Sequence, residues 1–385
     1  MMDGGRSEEL CVSEAMAAAP AGLQPSAFTR AVSPYRAAPS LERIDPHSAQ
    51  EPLKLDWNES TIPPSPLVLE RIHAFLLNTH HLNWYPDLRA AELGARLERY
   101  TGASAEQLLV TAGSDAALEV LCQTYLDPDD EVVVPSPTYT HFLVYAAARG
   151  ARLRQVYGKD PFVRPDEAIL SALGPRTKVV YLVSPTNPTG VVYSHEFIAR
   201  VARAVPQALV IVDEAYHEFS GETALPLVHT YSNVVVTRTF SKSFGIAGLR
   251  IGYLVASPEV VSAVRRVFNA KSVNVLGQIA ASAALDDLEY LYSYVSEVRA
   301  ARPELVAFLR SRGLLARETP ANFVMVRVPN PRAFVALCEE EGVYLRDRSM
   351  DSQLEGYVRV TVGTRRQTQD LCDRLGRVLD RLAAL

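Results

Sequence analysis

Lys242 stands in Thr239-Phe240-Ser241-Lys242-Ser243, just past three β-branched residues, Val234 to Val236. Such a run reads as a strand buried on both faces, which needs no polar alternation. A lysine held beyond the carboxyl end of such a strand is partly desolvated; its amine pKa falls and it becomes a nucleophile towards carbonyl groups. Four other stretches put a chemistry-bearing residue just after a similar run: Gly113-Ser114-Asp115-Ala116 after LLVTA, Tyr139 after VVVPSP, Asn187 after VVYLVSPT, and Asp213 with Tyr216 in LVIVDEAY. Singly, each has an ordinary structural reading. Ser114 or Asp115 can cap a helix, Asp213 can do the same, Asn187 suits a turn, Tyr139 a core, and Lys242 a solvated surface.

Position makes them a set. Strands ending at Tyr139, near Asn187, at Asp213 and before Lys242 alternate with helix-like stretches such as EFIARVARAV, and Arg152 to Val156 reads as a further strand. This rhythm predicts an α/β fold with a mostly parallel sheet whose carboxyl ends gather on one edge. Ligand sites of open α/β sheets lie there. If the ligand is a phosphorylated pyridine aldehyde, each residue has a task. Lys242 would hold the aldehyde, and Asp213 would stay ionised under the ring nitrogen and keep it protonated. Asn187 and Tyr216 would hydrogen-bond the ring hydroxyl, and Tyr139 would stack on the ring. Gly113, Ser114 and Asp115 open a helix whose free N–H groups attract phosphate, joined by Ser241 and Arg250.

The 385 residues, 48% hydrophobic and 22% charged, can bury a large domain and a smaller one. A net charge of -5 carries no basic footprint for nucleic acid or an anionic membrane. No run of 18 apolar residues predicts a membrane span. Cys11, Cys122, Cys338 and Cys372 have no paired spacing, so neither a metal site nor a disulfide framework is expected, and reduced cytoplasmic thiols fit. Residues 1–27, rich in Ala, Gly, Ser, Pro and Glu, read as a flexible extension. Further on, Leu88, Leu93 and Leu97 fall near helical spacing, and the charges of the C-terminal helices read as solvated faces. Arg359 is the exception: inside the apolar strand YVRVTV an unpaired guanidinium is costly, so either a structural salt bridge or a ligand carboxylate satisfies it.

Together SPTNPTG, DEAY, TFSKSFGIAGLRIGY and YVRVTVGT resemble the class I/II pyridoxal-phosphate-dependent aminotransferases of fold type I, and within them the histidinol-phosphate aminotransferase subgroup. The resemblance runs from about Val32 to the C-terminus. It implies pyridoxal 5'-phosphate as cofactor, a large domain over 76–275, and a small domain from 28–75 and 276–385. It also implies a homodimer with shared active sites, in which Tyr85 reaches the cofactor phosphate of the neighbouring subunit. Cis bonds are expected at Ser184-Pro185 and Asn187-Pro188. On the substrate side Arg359 would grip the α-carboxylate, Arg346 a phosphate, and Tyr35 and Asn187 would assist. Lys242 would act as covalent anchor and proton carrier between a small-molecule amino donor and an oxo acceptor, with histidinol phosphate and glutamate as the expected donors. Departures touch the substrate side and the subunit interface: Ser60-Thr61 replaces the subgroup's Asn-Pro, Ala116 its Glu, and Trp84 an arginine. An aminotransferase of a specialised pathway or a related decarboxylase would use the same cofactor residues. A DNA-binding ligand sensor is disfavoured, because the extension is too short and irregular for a helix-turn-helix.

Overall fold

The computed structural model describes residues 24–30, 32, 42–44, 50–78 and 81–383. Its centre is a seven-stranded sheet of β2 (Leu108–Thr111), β3 (Glu131–Ser136), β4 (Arg152–Tyr157), β5 (Thr177–Val183), β6 (Leu209–Asp213), β7 (Val234–Thr239) and β8 (Gly252–Val255), numbered after β1 (Leu53–Lys54). The strands lie in the order β2-β8-β7-β6-β5-β3-β4. All neighbours run parallel except β8, which is antiparallel to both β7 and β2. Helices cover both faces, so Val132–Val134, Val210–Val212 and Val234–Val236 are fully buried. Each such side chain contributes roughly 1.5–3 kcal/mol by leaving water, and a charge at Val235 would break the layer.

Two strands stop short of Tyr139 and Asn187, where the sequence reading places their ends. β3 ends at Ser136 and β5 at Val183, because Pro137 and Pro185 offer no N–H to continue a ladder. Tyr139 and Asn187 therefore sit on the loops beyond. The peptide bonds before Pro185 and Pro188 are cis as expected, and so is Ser136-Pro137.

A second, antiparallel sheet has the order β12-β13-β10-β9, built from β9 (Leu315–Glu318), β10 (Phe323–Arg327), β12 (Arg346–Asp347) and β13 (Tyr357–Thr361). Between them β11 (Val343–Tyr344) pairs in parallel with β1, which ties the N-terminal segment to the C-terminal part of the chain. Arg359 on β13 lies directly opposite Arg346 on β12.

Two sequence expectations fail locally. The helix carrying Leu93 and Leu97 starts only at Ala91, leaving Leu88 exposed, because Asp87 accepts from the N–H groups of Arg89 and Ala91 and holds the chain in a turn first. The last helix, Arg365–Ala383, is not charged only towards water. Its Arg374 is buried, pairs with Asp370 at 2.6 Å and donates to the carbonyls of Glu51 and Glu341. There it acts as a tie between segments. No helix among the described residues is long and apolar enough to cross a membrane.

Candidate active site

The helix Gly113–Tyr125 begins with Ala112 as N-cap and no side-chain capping bond. The hydroxyl of Ser114 is thus not spent as a cap, and the first-turn N–H groups keep their attraction for an anion. Gly113 has φ 85, and a Cβ there would stand 2.7 Å from Arg250 Nη2, so only glycine lets the guanidinium lie against the helix start. Arg250 donates from Nη1 to Ser241 Oγ at 3.1 Å and from Nη2 to Asp115 Oδ2 at 3.2 Å. Ser114, Ser241, Arg250 and the helix start line one end of a shared cavity as a cradle of hydrogen-bond donors suited to an anion. Asp115 also accepts from the Tyr139 hydroxyl at 2.8 Å, which sets the tyrosine's place beside that cradle.

From the cradle a cavity of about 490 Å³ runs between the two sheets, lined among others by Tyr139, Asn187, Asp213, Tyr216, Lys242, Arg346 and Arg359. Half-buried Lys242 donates from Nζ to the Trp57 carbonyl at 2.9 Å. Burial first, and then the Arg359 cation, lowers its amine to about 8. Asp213 is 3% exposed; its Oδ2 accepts from the Tyr181 hydroxyl at 2.7 Å, while its buried Oδ1 has no hydrogen-bond partner. Burial pushes this carboxyl up to about 6. The sequence expectation of a lowered pKa rests on a cation above Asp213; burial by itself raises the carboxyl, which at about 6 is still ionised at neutral pH. The lone Oδ1 is the acceptor a protonated ring nitrogen requires, so these residues fit pyridoxal phosphate.

Tyr216 receives a hydrogen bond from Asn58 Nδ2 at 3.0 Å, and its phenol is raised chiefly by burial. Arg359, 5% exposed, donates to Asn187 Oδ1 at 2.7 Å and to the Asp56 carbonyl at 2.5 Å. It forms no ion pair among the described residues, so the salt-bridge reading falls away. Burial, then the cations of Arg348 and Arg346, lower it to about 10. Such a guanidinium is suited to a carboxylate supplied from outside. Tyr85 does not reach this cavity: it is 79% exposed, with Lys271 Nζ 5.3 Å from its ring centre. Tyr35 lies outside the described residues.

Sequence reasoning missed the segment Asp56–Glu59, which brings two backbone carbonyls and Asn58 to the site from beyond β1, and it missed Tyr181 and Arg348. Tyr181 reads as one more apolar residue in VVYLV; the signal for Arg348 was the second arginine of LRDRS. Among the described residues no group of three or more His, Cys, Asp or Glu is placed to hold a metal.

The sequence profile of class I and II aminotransferases matches residues 50–375. The chain is 36% identical to a dihydroxyacetone phosphate transaminase of Campylobacter jejuni, covering 92% of this chain and 96% of that one. It is 31% identical to a histidinol-phosphate aminotransferase of Ruminiclostridium cellulolyticum, over 86% and 94% of the two chains. In structure it resembles the histidinol-phosphate aminotransferase of Sinorhizobium meliloti in complex with pyridoxal-5'-phosphate, with a TM-score of 0.83, 28% identity and coverage of 94% and 99%. An anion cradle, a lone buried acceptor and a desolvated lysine on one cavity, on a chain that matches this family along most of its length, place the protein among the class I and II aminotransferases, as a pyridoxal-phosphate-dependent enzyme of fold type I.

Proposed function

We propose that the enzyme moves an amino group between glutamate and 2-oxoglutarate on one side and a phosphate-bearing pair, histidinol phosphate and imidazole acetol phosphate, on the other. The observation that carries this is the placement of Arg346 directly across from Arg359 on the wall of the Lys242 cavity. Arg359 takes the α-carboxylate of an amino acid, and Arg346 takes the distal anion, whether carboxylate or phosphate. Bound pyridoxal phosphate supplies the electron-withdrawing ring that acidifies the substrate carbon. Lys242 Nζ, its amine lowered to about 8 by burial, takes the proton from that carbon and returns it on the cofactor side. Asp213 keeps the ring nitrogen protonated. Asn187 and Tyr216, the latter held by Asn58, fix the ring hydroxyl, and Tyr139 covers the ring face. Gly113, Ser114, Asp115, Ser241 and Arg250 hold the cofactor phosphate.

The working unit in this reading is a homodimer. Tyr85, exposed beside Leu82, Trp84 and Leu88, supports it as the residue that completes the partner's phosphate site. The large domain spans 76–275 and the small one 28–75 with 276–385, Tyr35 of the latter serving the substrate. The buried thiols of Cys122, Cys338 and Cys372 suit a reducing cytoplasm.

Pyridoxal-phosphate-loaded protein mixed separately with histidinol phosphate and with glutamate, and followed by cofactor absorbance, tests the substrates. Conversion by both is expected. Conversion by glutamate alone sends the search to shorter phosphate-bearing ketones, a second reading favoured by the identity to the Campylobacter transaminase.

A further inference from the structure

The strand that carries Arg346 carries a second arginine two residues on. The Arg348 N–H donates to the Tyr357 carbonyl at 3.0 Å, continuing the register in which Arg346 faces Arg359 and Asp347 faces Val358. Residues two apart on a strand share a face, so Arg348 lies on the face of Arg346 and Arg359. Asp347 turns the other way, and its Oδ1 accepts from Ser349 N at 2.8 Å and Ser349 Oγ at 2.6 Å. All three arginines line the cavity of Lys242. The Arg348 side chain is 12% exposed, with Asp351 Oδ2 2.5 Å from its Nε. Arg346 and Arg359 make no ion pair among the described residues. Three like charges on one face repel, and Arg348 stands ahead of Arg346 among the cations that lower the Arg359 guanidinium.

A distal carboxylate brings one negative charge to this wall. A phosphate monoester brings two, with three oxygens that two guanidinium groups can share. We infer that Arg348 is a specificity-determining residue, which with Arg346 forms a two-guanidinium subsite that selects substrates ending in a dianionic phosphate monoester over those ending in a monoanion. The inference rests on the reading of Arg346 as the distal-anion partner. The Asp351 carboxylate stands at ion-pair distance from the Nε edge and the side chain is largely buried, so the guanidinium has little freedom to lose when a ligand binds.

Calorimetry of the pyridoxal-phosphate-loaded protein at pH 8 with glycerol 3-phosphate, and with its monoanionic counterpart glycerol 3-sulfate, tests this. Wild type is expected to bind the phosphate ester about tenfold or more tightly than the sulfate ester. Arg348→Gln should bring that ratio to within about threefold, and Arg348→Lys, which keeps the charge but loses the fork, should fall between. Cofactor absorbance in each variant shows that the site is assembled. Equal binding of the two esters by wild type, binding of neither, or an undiminished ratio in Arg348→Gln overturns the inference. Histidinol phosphate conversion, read on the same samples, is a separate result: esters discriminated without that conversion would leave the Arg348 subsite standing and remove the proposed substrate.

Discussion

Asp213→Asn should stabilise the cofactor-free protein and cripple the cofactor-loaded one. Burial pushes this carboxyl from the ordinary aspartate value of 3.8 up to about 6. That difference corresponds to about 3 kcal/mol of linkage. The sign follows from proton occupancy. Between about pH 4 and pH 6 the folded form keeps a proton that the unfolded chain has lost, so stability declines as pH rises through this window, and above it the full penalty remains. Asparagine has no charge to desolvate. Its carbonyl can accept from the Tyr181 hydroxyl as Oδ2 does now, at the cost of a buried amide worth about 1–3 kcal/mol if unpaired. The sum at pH 8 is a small net gain, and the stability difference between variant and wild type should change by about 2–3 kcal/mol between pH 4 and pH 8 in favour of the variant. Urea unfolding of the two cofactor-free proteins at a series of pH values measures it. In the loaded enzyme the effect reverses, because the ring nitrogen loses its anionic partner, and kcat should fall by about a hundredfold or more. Parallel stability profiles for the two cofactor-free proteins would refute the reasoning about the carboxyl, and unchanged kcat would refute its place under the ring.

Lys242→Ala should abolish turnover while retaining part of the cofactor affinity, read from absorbance and single-turnover mixing; full activity would remove the lysine from the chemistry. With Lys242 intact, the amine titrates near 8, so capture of pyridoxal phosphate by cofactor-free protein should accelerate as pH rises through that value and then level off; a midpoint near 10 in the stopped-flow trace would contradict the desolvation argument. Gly113→Ala meets both a positive φ and a contact of 2.7 Å with Arg250 Nη2. A loss of stability of about 1 kcal/mol or more is expected, with weaker cofactor retention in equilibrium dialysis as Arg250 is pushed from the cradle. Asn58→Ala removes the donor to the Tyr216 hydroxyl, worth about 1 kcal/mol, and should lower kcat about fivefold at unchanged cofactor content.

The residues that lie at the exits of buried strands were readable from the linear chain, because Val, Ile and Leu runs announce β5, β6 and β7 and the polar residue after each run is placed by that strand alone. Lys242, Asp213, Asn187 and the start of the helix Gly113–Tyr125 all belong to this kind. Residues that arrive from a distance were not. Asn58 reaches Tyr216 across 158 positions, and nothing in LDWNEST says which hydroxyl it will meet. The same holds for Tyr181, whose local pattern is that of a core residue and whose polar end matters only because β6 lies beside β5 and sets Asp213 within its reach. Strand limits were blurred for another reason: the strands end before Pro137 and Pro185, while the residues that carry chemistry, Tyr139 and Asn187, stand two positions beyond each proline. Leu88 keeps the spacing of the helix Ala91–Thr101 but stands before its first turn, a boundary that Asp87 decides and apolar spacing alone does not.

Gly252 sits where β8 begins, paired with Thr111 at the end of β2 on one side and Thr239 at the end of β7 on the other. A Cβ there would fall 2.5 Å from the backbone nitrogen of Ser114. The two halves of the phosphate cradle therefore hang on separate strands, the helix start following β2 and Ser241 following β7, and an antiparallel strand inserted between them brings the halves together. A phosphate bound there, as proposed, would work as a clasp on the edge of the sheet, because parting β2 from β8 would open the cradle. Their amide hydrogens should exchange more slowly in the loaded protein than in the cofactor-free one, while those of β3 and β4, on the far side of the sheet, stay as they were.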